Sequence, residues 1–303
     1  MRKSLAQAKR RKLEHYPQIV QIETTTVCNA NCVMCPHGNI TREKGHMNFD
    51  LYKKTIDDCN DNTNRLRAIL PFLNGELFLT PKWQDYLAYA RTKLPTTRIE
   101  VYTNGSLLND ENIHDMLEIG PDVVNISFDG VSKEAYEAVR RNLDFDEVQN
   151  NITQLVRQRD ASRKGKPHIA ISIIEMEQTA AGIEAFQKKW AAVVDEVIVV
   201  PYSNWADIDE REHGNEPGQG QRMPCPRLWV NLTILNTGKA VLCCLDYNGD
   251  IILGDVTEQS VEEIWTGEKL QDLRKLHLEG KHSEIPRCKN CSYLISCLEP
   301  LIW

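Results

Sequence analysis

The chain has 303 residues, enough for about two ordinary domains or one barrel with an appendage, and it needs no covalent staple to form a core. Thirty-six Lys and Arg against 43 Asp and Glu leave a net charge of −7, which argues against a general nucleic-acid binder. A hydrophobic content of 41% excludes disorder, and no uncharged apolar run approaches the roughly 20 residues that span a bilayer.

Residues 1–16 carry Arg2, Lys3, Lys9, Arg10, Arg11 and Lys12 with no apolar stretch behind them, which reads as a basic N-terminal helix rather than a secretory signal. From 17 to 201, β-like runs at 18–23, 67–73, 98–102, 123–128, 168–174 and 196–200 alternate with helical periods. Those periods cover 51–59, 83–93, 111–119, 133–141, 146–157 and 183–194. Six such alternations predict an α/β fold, a partial (β/α)6 barrel whose chemistry gathers at the C-terminal ends of its strands. Residues 202–224 are polar and aperiodic and read as a linker. In 225–303, runs at 229–235 and 240–244 flank Asn236-Thr237-Gly238, a hairpin signal. A single helical period at 261–278 and a cysteine-bearing tail complete the chain.

Ten cysteines are the unusual feature. A reducing cytoplasm is the expected compartment, where clustered thiols bind metal or do redox work more often than they form bridges. Cys28, Cys32 and Cys35 occupy one loop directly after the first strand. Three thiols there can wrap one compact centre, and a [4Fe–4S] cube held by three keeps one iron open. A zinc site would need a fourth ligand, for which only His37 and His46 are near. The second set is Cys225, Cys243, Cys288 and Cys291, two scattered thiols and a C-x-x-C pair. They can close a complete tetrahedral site, and a four-thiolate zinc ribbon is the competing reading.

The C-x-x-x-C-x-x-C motif after the first strand of a βα repeat resembles the radical S-adenosylmethionine (SAM) superfamily. Other residues fall in the order that family uses. Gly75 and Glu76 follow the second strand, although Asn74 and Leu77 depart from the usual Gly-Gly-Glu-Pro turn. Asn104 follows the third strand, Ser127 closes the fourth, and Arg140 lies one helix later. The resemblance implies that Glu76 and the backbone at Gly75 hold the SAM amino group, with Ser127 and Arg140 near its ribose and carboxylate. It also implies an electron passed into the sulfonium, yielding a 5′-deoxyadenosyl radical that abstracts a substrate hydrogen atom. The C-terminal cysteines resemble a twitch domain, the short form of the SPASM domain, with one auxiliary [4Fe–4S] cluster. Cys297 could extend the series, but Leu301 stands where the next cysteine should be.

Similar enzymes with this plan include epimerases and dehydrogenases of aminoglycosides and aminocyclitols. The reading taken from the sequence is epimerisation at a carbinol carbon of a small, polar, sugar-like substrate. Cys244, thrown to the opposite face from Cys243 if both lie in a strand, would return the hydrogen. The alternatives are two-electron dehydrogenation of a secondary alcohol, or epimerisation or thioether formation on a ribosomal peptide. A flavodoxin or ferredoxin is the expected reductant; neither nucleic acid nor membrane is an expected partner. Asn204, Trp205, Asp207 and Asp246 are candidate contacts for a hydroxyl-rich ligand.

Overall fold

The computed structural model describes residues 13–205 and 223–291. Its centre is a nine-stranded sheet in the order β6-β5-β4-β3-β2-β1-β7-β8-β9. Strands β1 (Ile19–Ile22), β2 (Ala68–Leu70), β3 (Arg98–Thr103), β4 (Val123–Ser127), β5 (His168–Glu175) and β6 (Glu196–Pro201) are parallel neighbours throughout. Every run expected from the sequence is a strand, with ends shifted by a few residues at most.

Helices separate these strands where the sequence supplies caps. Asn48 accepts from the amides of Asp50 and Leu51 and starts α1 (Phe49–Asn60). The next is α2 (Trp83–Lys93). Asn109 caps α3 (Asp110–Ile119), which Gly120 ends at φ 73°, where a side chain would be strained. Then come α4 (Lys133–Val139) and α5 (Phe145–Ser162), the latter capped by Asp144. Val101, Val124, Ile126, Ile169 and Ile171 on paired positions of β3, β4 and β5 are wholly buried, so a continuous apolar core fixes the register that puts all strand C-terminal ends at one mouth.

The C-terminal region joins this sheet. The hairpin is present as β7 (Asn231–Ile234) and β8 (Lys239–Val241), turned at Gly238 with φ 93°, and β9 (Ile252–Asp255) adds a third antiparallel strand. β7 also pairs in parallel with β1, Ile19 opposite Asn231 through Ile22 opposite Ile234. The edge that a six-strand half-barrel would leave at β1 is thereby covered.

Two expectations change here. The period at 261–278 is two helices, Val261–Thr266 and Glu268–Leu278, because Gly267 takes an extended ψ of 152° between them. Strand β8 stops at Val241, short of the expected 240–244, so Cys243 and Cys244 lie in the following turn, closed by the Asp246 amide on the Cys243 carbonyl at 3.0 Å. No helix among the described residues is long and apolar enough to cross a membrane. Cys297 and Asp207 lie outside the described residues, as do most of the N-terminal basic segment and most of the expected linker.

Candidate active site

The loop bearing Cys28, Cys32 and Cys35 leaves β1 at the barrel mouth and is tied to its surroundings mostly by backbone. The amides of Asn31 and Val33 donate to the carbonyls of Arg141 and Val139, at 2.9 and 3.0 Å, just beyond and at the end of α4. On the other side Asn104, after β3, donates from Nδ2 to Asn29 Oδ1 at 2.9 Å and lies 4.0 Å from Cys28 Sγ. The three thiols share one small volume: Cys32 acts electrostatically on Cys28, and both Cys32 and Cys28 act on Cys35. Burial pushes the Cys28 thiol up to about 11 and Cys35 to about 12, so thiolates here need a cationic centre to form.

His37 and His46 are engaged elsewhere. A ring nitrogen of His37 sits 2.7 Å from the Thr26 carbonyl, and His46 Nδ1 sits 2.9 Å from Thr25 Oγ1. Both brace the root of the loop.

Gly75 and Glu76 stand against that root. A Cβ built at Gly75 would lie 2.3 Å from the Thr25 carbonyl oxygen, so only glycine lets the two backbones approach. The Glu76 amide then donates to the Val27 carbonyl at 2.8 Å. The Glu76 carboxylate is buried, with Thr103 Oγ1 and the Asn104 amide each donating to it at 2.8 Å. Burial raises its pKa to about 6 despite those donors, which makes it a ready acceptor for a cationic group entering the mouth.

Arg140, just after α4, uses Nε and Nη2 on Asp129, whose side chain is fully buried, and places Nη1 3.5 Å from Cys32 Sγ. Asp129 in turn accepts from the Ile174 amide. Asp129 is not among the site residues named from the sequence; its signal was the Ser-Phe-Asp-Gly string at a strand end. Ser127 is half-buried at the end of β4, opposite Ser172 on β5. Glu76, Asn104, Ser127 and Arg140 are thus gathered at one mouth with the first three thiols. Beside them a cavity of about 250 Å3 is lined by Cys32, Met34, Cys35, Asn39, Arg141 and Trp205. Trp205 donates from its indole nitrogen to the Met34 carbonyl at 2.7 Å.

The second set also converges. Cys243 is pushed well up, first by desolvation and then by Cys244, Cys225, Cys288 and Cys291 around it. Cys288 and Cys291 are buried in the core, and the Cys225 amide donates to His277 Nδ1 at 3.3 Å. Four thiols assembled this way, two buried and two half-buried, fit a cluster, since crowding them as thiolates without bound cations would be costly. Among the described residues no three His, Cys, Asp or Glu side chains are grouped as ligands of a single metal ion. A cube, which spreads its thiolates over separate irons, asks for wider spacing than one ion does.

Cys244 departs from expectation. It lies in a turn rather than a strand, so the alternation that would throw it to the opposite face does not operate, and its thiol is among those acting on Cys243. Asp246 is likewise structural. Its carboxylate accepts from the amides of Asp250 and Ile251, both at 2.9 Å, beside Arg287. Asn204 donates to the Asn290 carbonyl between Cys288 and Cys291, so among the described residues of that group Trp205 is the one on the cavity.

Residues 22–211 match the Radical SAM superfamily, well over half the chain. This chain is a radical SAM protein. Residues 225–292 match SPASM, the iron–sulfur cluster-binding domain, so the catalytic and auxiliary iron–sulfur cofactors and SAM belong to it by family. Over 276 residues it is 21% identical to the S-adenosyl-L-methionine-dependent 2-deoxy-scyllo-inosamine dehydrogenase of Niallia circulans, spanning 90% of this chain and 92% of that relative. The structure of BtrN in complex with AdoMet and 2-DOIA superposes with a TM-score of 0.63 at 19% identity, over 91% of this chain and 93% of that one. Streptococcus suis SuiB bound to precursor peptide SuiA gives 0.68 at 13%, over 96% and 73%. At such identities the structural likeness speaks for the shared fold.

Proposed function

We propose that this radical SAM enzyme oxidises a carbinol carbon of a small aminocyclitol-like or sugar-like substrate to a ketone. The observation that carries the reading is the convergence of Cys225, Cys288 and Cys291 on Cys243, a set able to hold a redox centre in the same sheet as the catalytic loop. With both clusters and SAM bound, the cofactors would supply an adenosyl radical to take the carbon-bound hydrogen atom and an acceptor for the electron that must leave, the hydroxyl proton passing to base.

The chain's own residues then have distinct tasks. Glu76 holds the SAM ammonium, with Gly75 permitting its approach and Asn104 and Thr103 aiming it. Arg140, fixed by Asp129, presents a cation towards the SAM carboxylate beside Cys32, and Ser127 faces the ribose. Cys28, Cys32 and Cys35 ligate the catalytic cluster with one iron left for SAM. Cys225, Cys243, Cys288 and Cys291 close one auxiliary cluster. The full-length likeness to a dehydrogenase supports oxidation over epimerisation, as does the turn that sets Cys244 among the auxiliary thiols. A low-potential flavodoxin or ferredoxin supplies the first electron. A reducing cytoplasm suits a chain whose nine described cysteines form no disulfide.

The reaction run in deuterated water decides the chemistry. Oxidation gives a product two hydrogens lighter with no solvent deuterium at carbon. Solvent deuterium that disappears in Cys244→Ala would restore the epimerase reading. SAM cleavage that proceeds with a peptide and not with any polyol would move the enzyme to the peptide class.

A further inference from the structure

Glu23, the residue after β1, is wholly buried at the barrel mouth yet touches none of the thiols. Arg42, six residues or so beyond the catalytic loop, places Nη2 2.7 and 2.6 Å from its two oxygens. The same carboxylate accepts from Asn74 Nδ2 at 3.1 Å and from the Asn236 amide at 3.1 Å. Arg42 turns its other two nitrogens, Nη1 and Nε, to Asn236 Oδ1 and the Tyr247 carbonyl, both at 2.6 Å. Alongside, Asn248 Oδ1 accepts from the Thr41 amide at 2.9 Å.

Each partner neighbours a different part of the chemistry. Asn74 precedes Gly75 and Glu76. Arg42 leaves the loop of Cys28, Cys32 and Cys35. Asn236 and Tyr247 bracket the segment that carries Cys243. One buried carboxylate is therefore the common node of the SAM-facing turn, the catalytic loop and the auxiliary hairpin. Apolar packing could stabilise that junction equally well, but it is non-directional. A guanidinium fork on a carboxylate and two carbonyl-type oxygens fixes both distance and orientation.

We propose that Glu23 and Arg42 are positioning residues that set the placement of the auxiliary thiol site relative to the catalytic loop. The proposal rests on the two ligand sets assigned above. It is tested on fully reconstituted holoenzyme carrying Glu23→Gln or Arg42→Lys, which keep size while breaking the fork. In the parent, the electron paramagnetic resonance spectrum of the doubly reduced protein should carry the magnetic interaction between two clusters. Both variants should load iron as the parent does but show an altered interaction. They should also raise the ratio of 5′-deoxyadenosine released to ketone formed by about tenfold, because a small misplacement has a large kinetic effect.

Variants with parental interaction and parental ratio, only melting at lower temperature, overturn the proposal and leave the pair a structural element. If Glu23→Gln does not accumulate as folded protein, Asn236→Ala, which removes one acceptor of Arg42, carries the same readouts with the same two outcomes. A parent showing only one cluster overturns the auxiliary ligand set, and the latch with it. A parent showing two beside unchanged variants overturns the latch alone.

Discussion

The two thiol sites are assembled by opposite strategies. Cys28, Cys32 and Cys35 lie within eight consecutive residues, so one loop after one strand delivers all three. Cys225, Cys243, Cys288 and Cys291 span 67 residues and meet only because β7 docks on β1 and the turn after β8 faces the tail. The first site is a local structure lodged in a barrel; the second is a product of tertiary docking. A local site should tolerate damage to the sheet and fail at its ligands, whereas a docked site should also fail at its joints.

The largest effect expected is at the local site. Cys32→Ala should remove the catalytic cluster and reduce SAM cleavage to background, read from 5′-deoxyadenosine formation. Cys243→Ala should spare that cleavage and abolish ketone, since only the auxiliary set loses a ligand. Equal loss of both products in Cys243→Ala would erase the distinction between the sites.

Arg140→Met should come next. It strands Asp129, fully buried, without its partner, at a cost of about 3–5 kcal/mol, read from thermal or denaturant unfolding. Gly75→Ala should cost about 1–3 kcal/mol through the Cβ forced against the Thr25 carbonyl, and should weaken SAM binding more than it lowers stability. An unchanged SAM affinity would detach Glu76 from the role given to it.

The smallest effect expected is a pH dependence. Glu76 sits near 6 in the folded chain against 4.5 ordinarily, so between those values the folded chain holds a proton that the unfolded chain has released. Its contribution, up to about 2 kcal/mol, is fully present below 4.5 and lost as pH rises through about 6. The difference in unfolding free energy between parent and Glu76→Gln should therefore change across that window and be flat above it. A flat difference throughout would place Glu76 in contact with solvent.

The contrast between the sites also explains what could be read in advance. The barrel strands were visible because each has its own apolar run, and the helices because of their apolar spacing, although the caps at Asn48, Asn109 and Asp144 start them a residue or two before the expected 51, 111 and 146. Gly75 and Glu76 could be placed by their position after a strand. Asp129 was not singled out in the sequence because its importance comes from Arg140, eleven positions away, and from the Ile174 amide on another strand. Asp246 was over-read, since a lone acid before a loop gives no sign that Asp250 and Ile251 will satisfy it. Cys244 was misplaced by three residues of strand that β8 does not have. Gly267 broke a helical period that leucine spacing alone would have continued.

Strand periodicity and a three-cysteine motif act over a few residues, so fold class, family and catalytic loop are legible in the chain alone. The tertiary structure is what extends the barrel sheet through β1 with the C-terminal hairpin and turns Cys243 and Cys244 together. It alone brought Glu23, Asn74, Arg42 and Asn236 to one buried point. Those are contacts between segments as much as 213 residues apart, fixed by the register of a strand pair and by the burial of one charge, which no local pattern encodes.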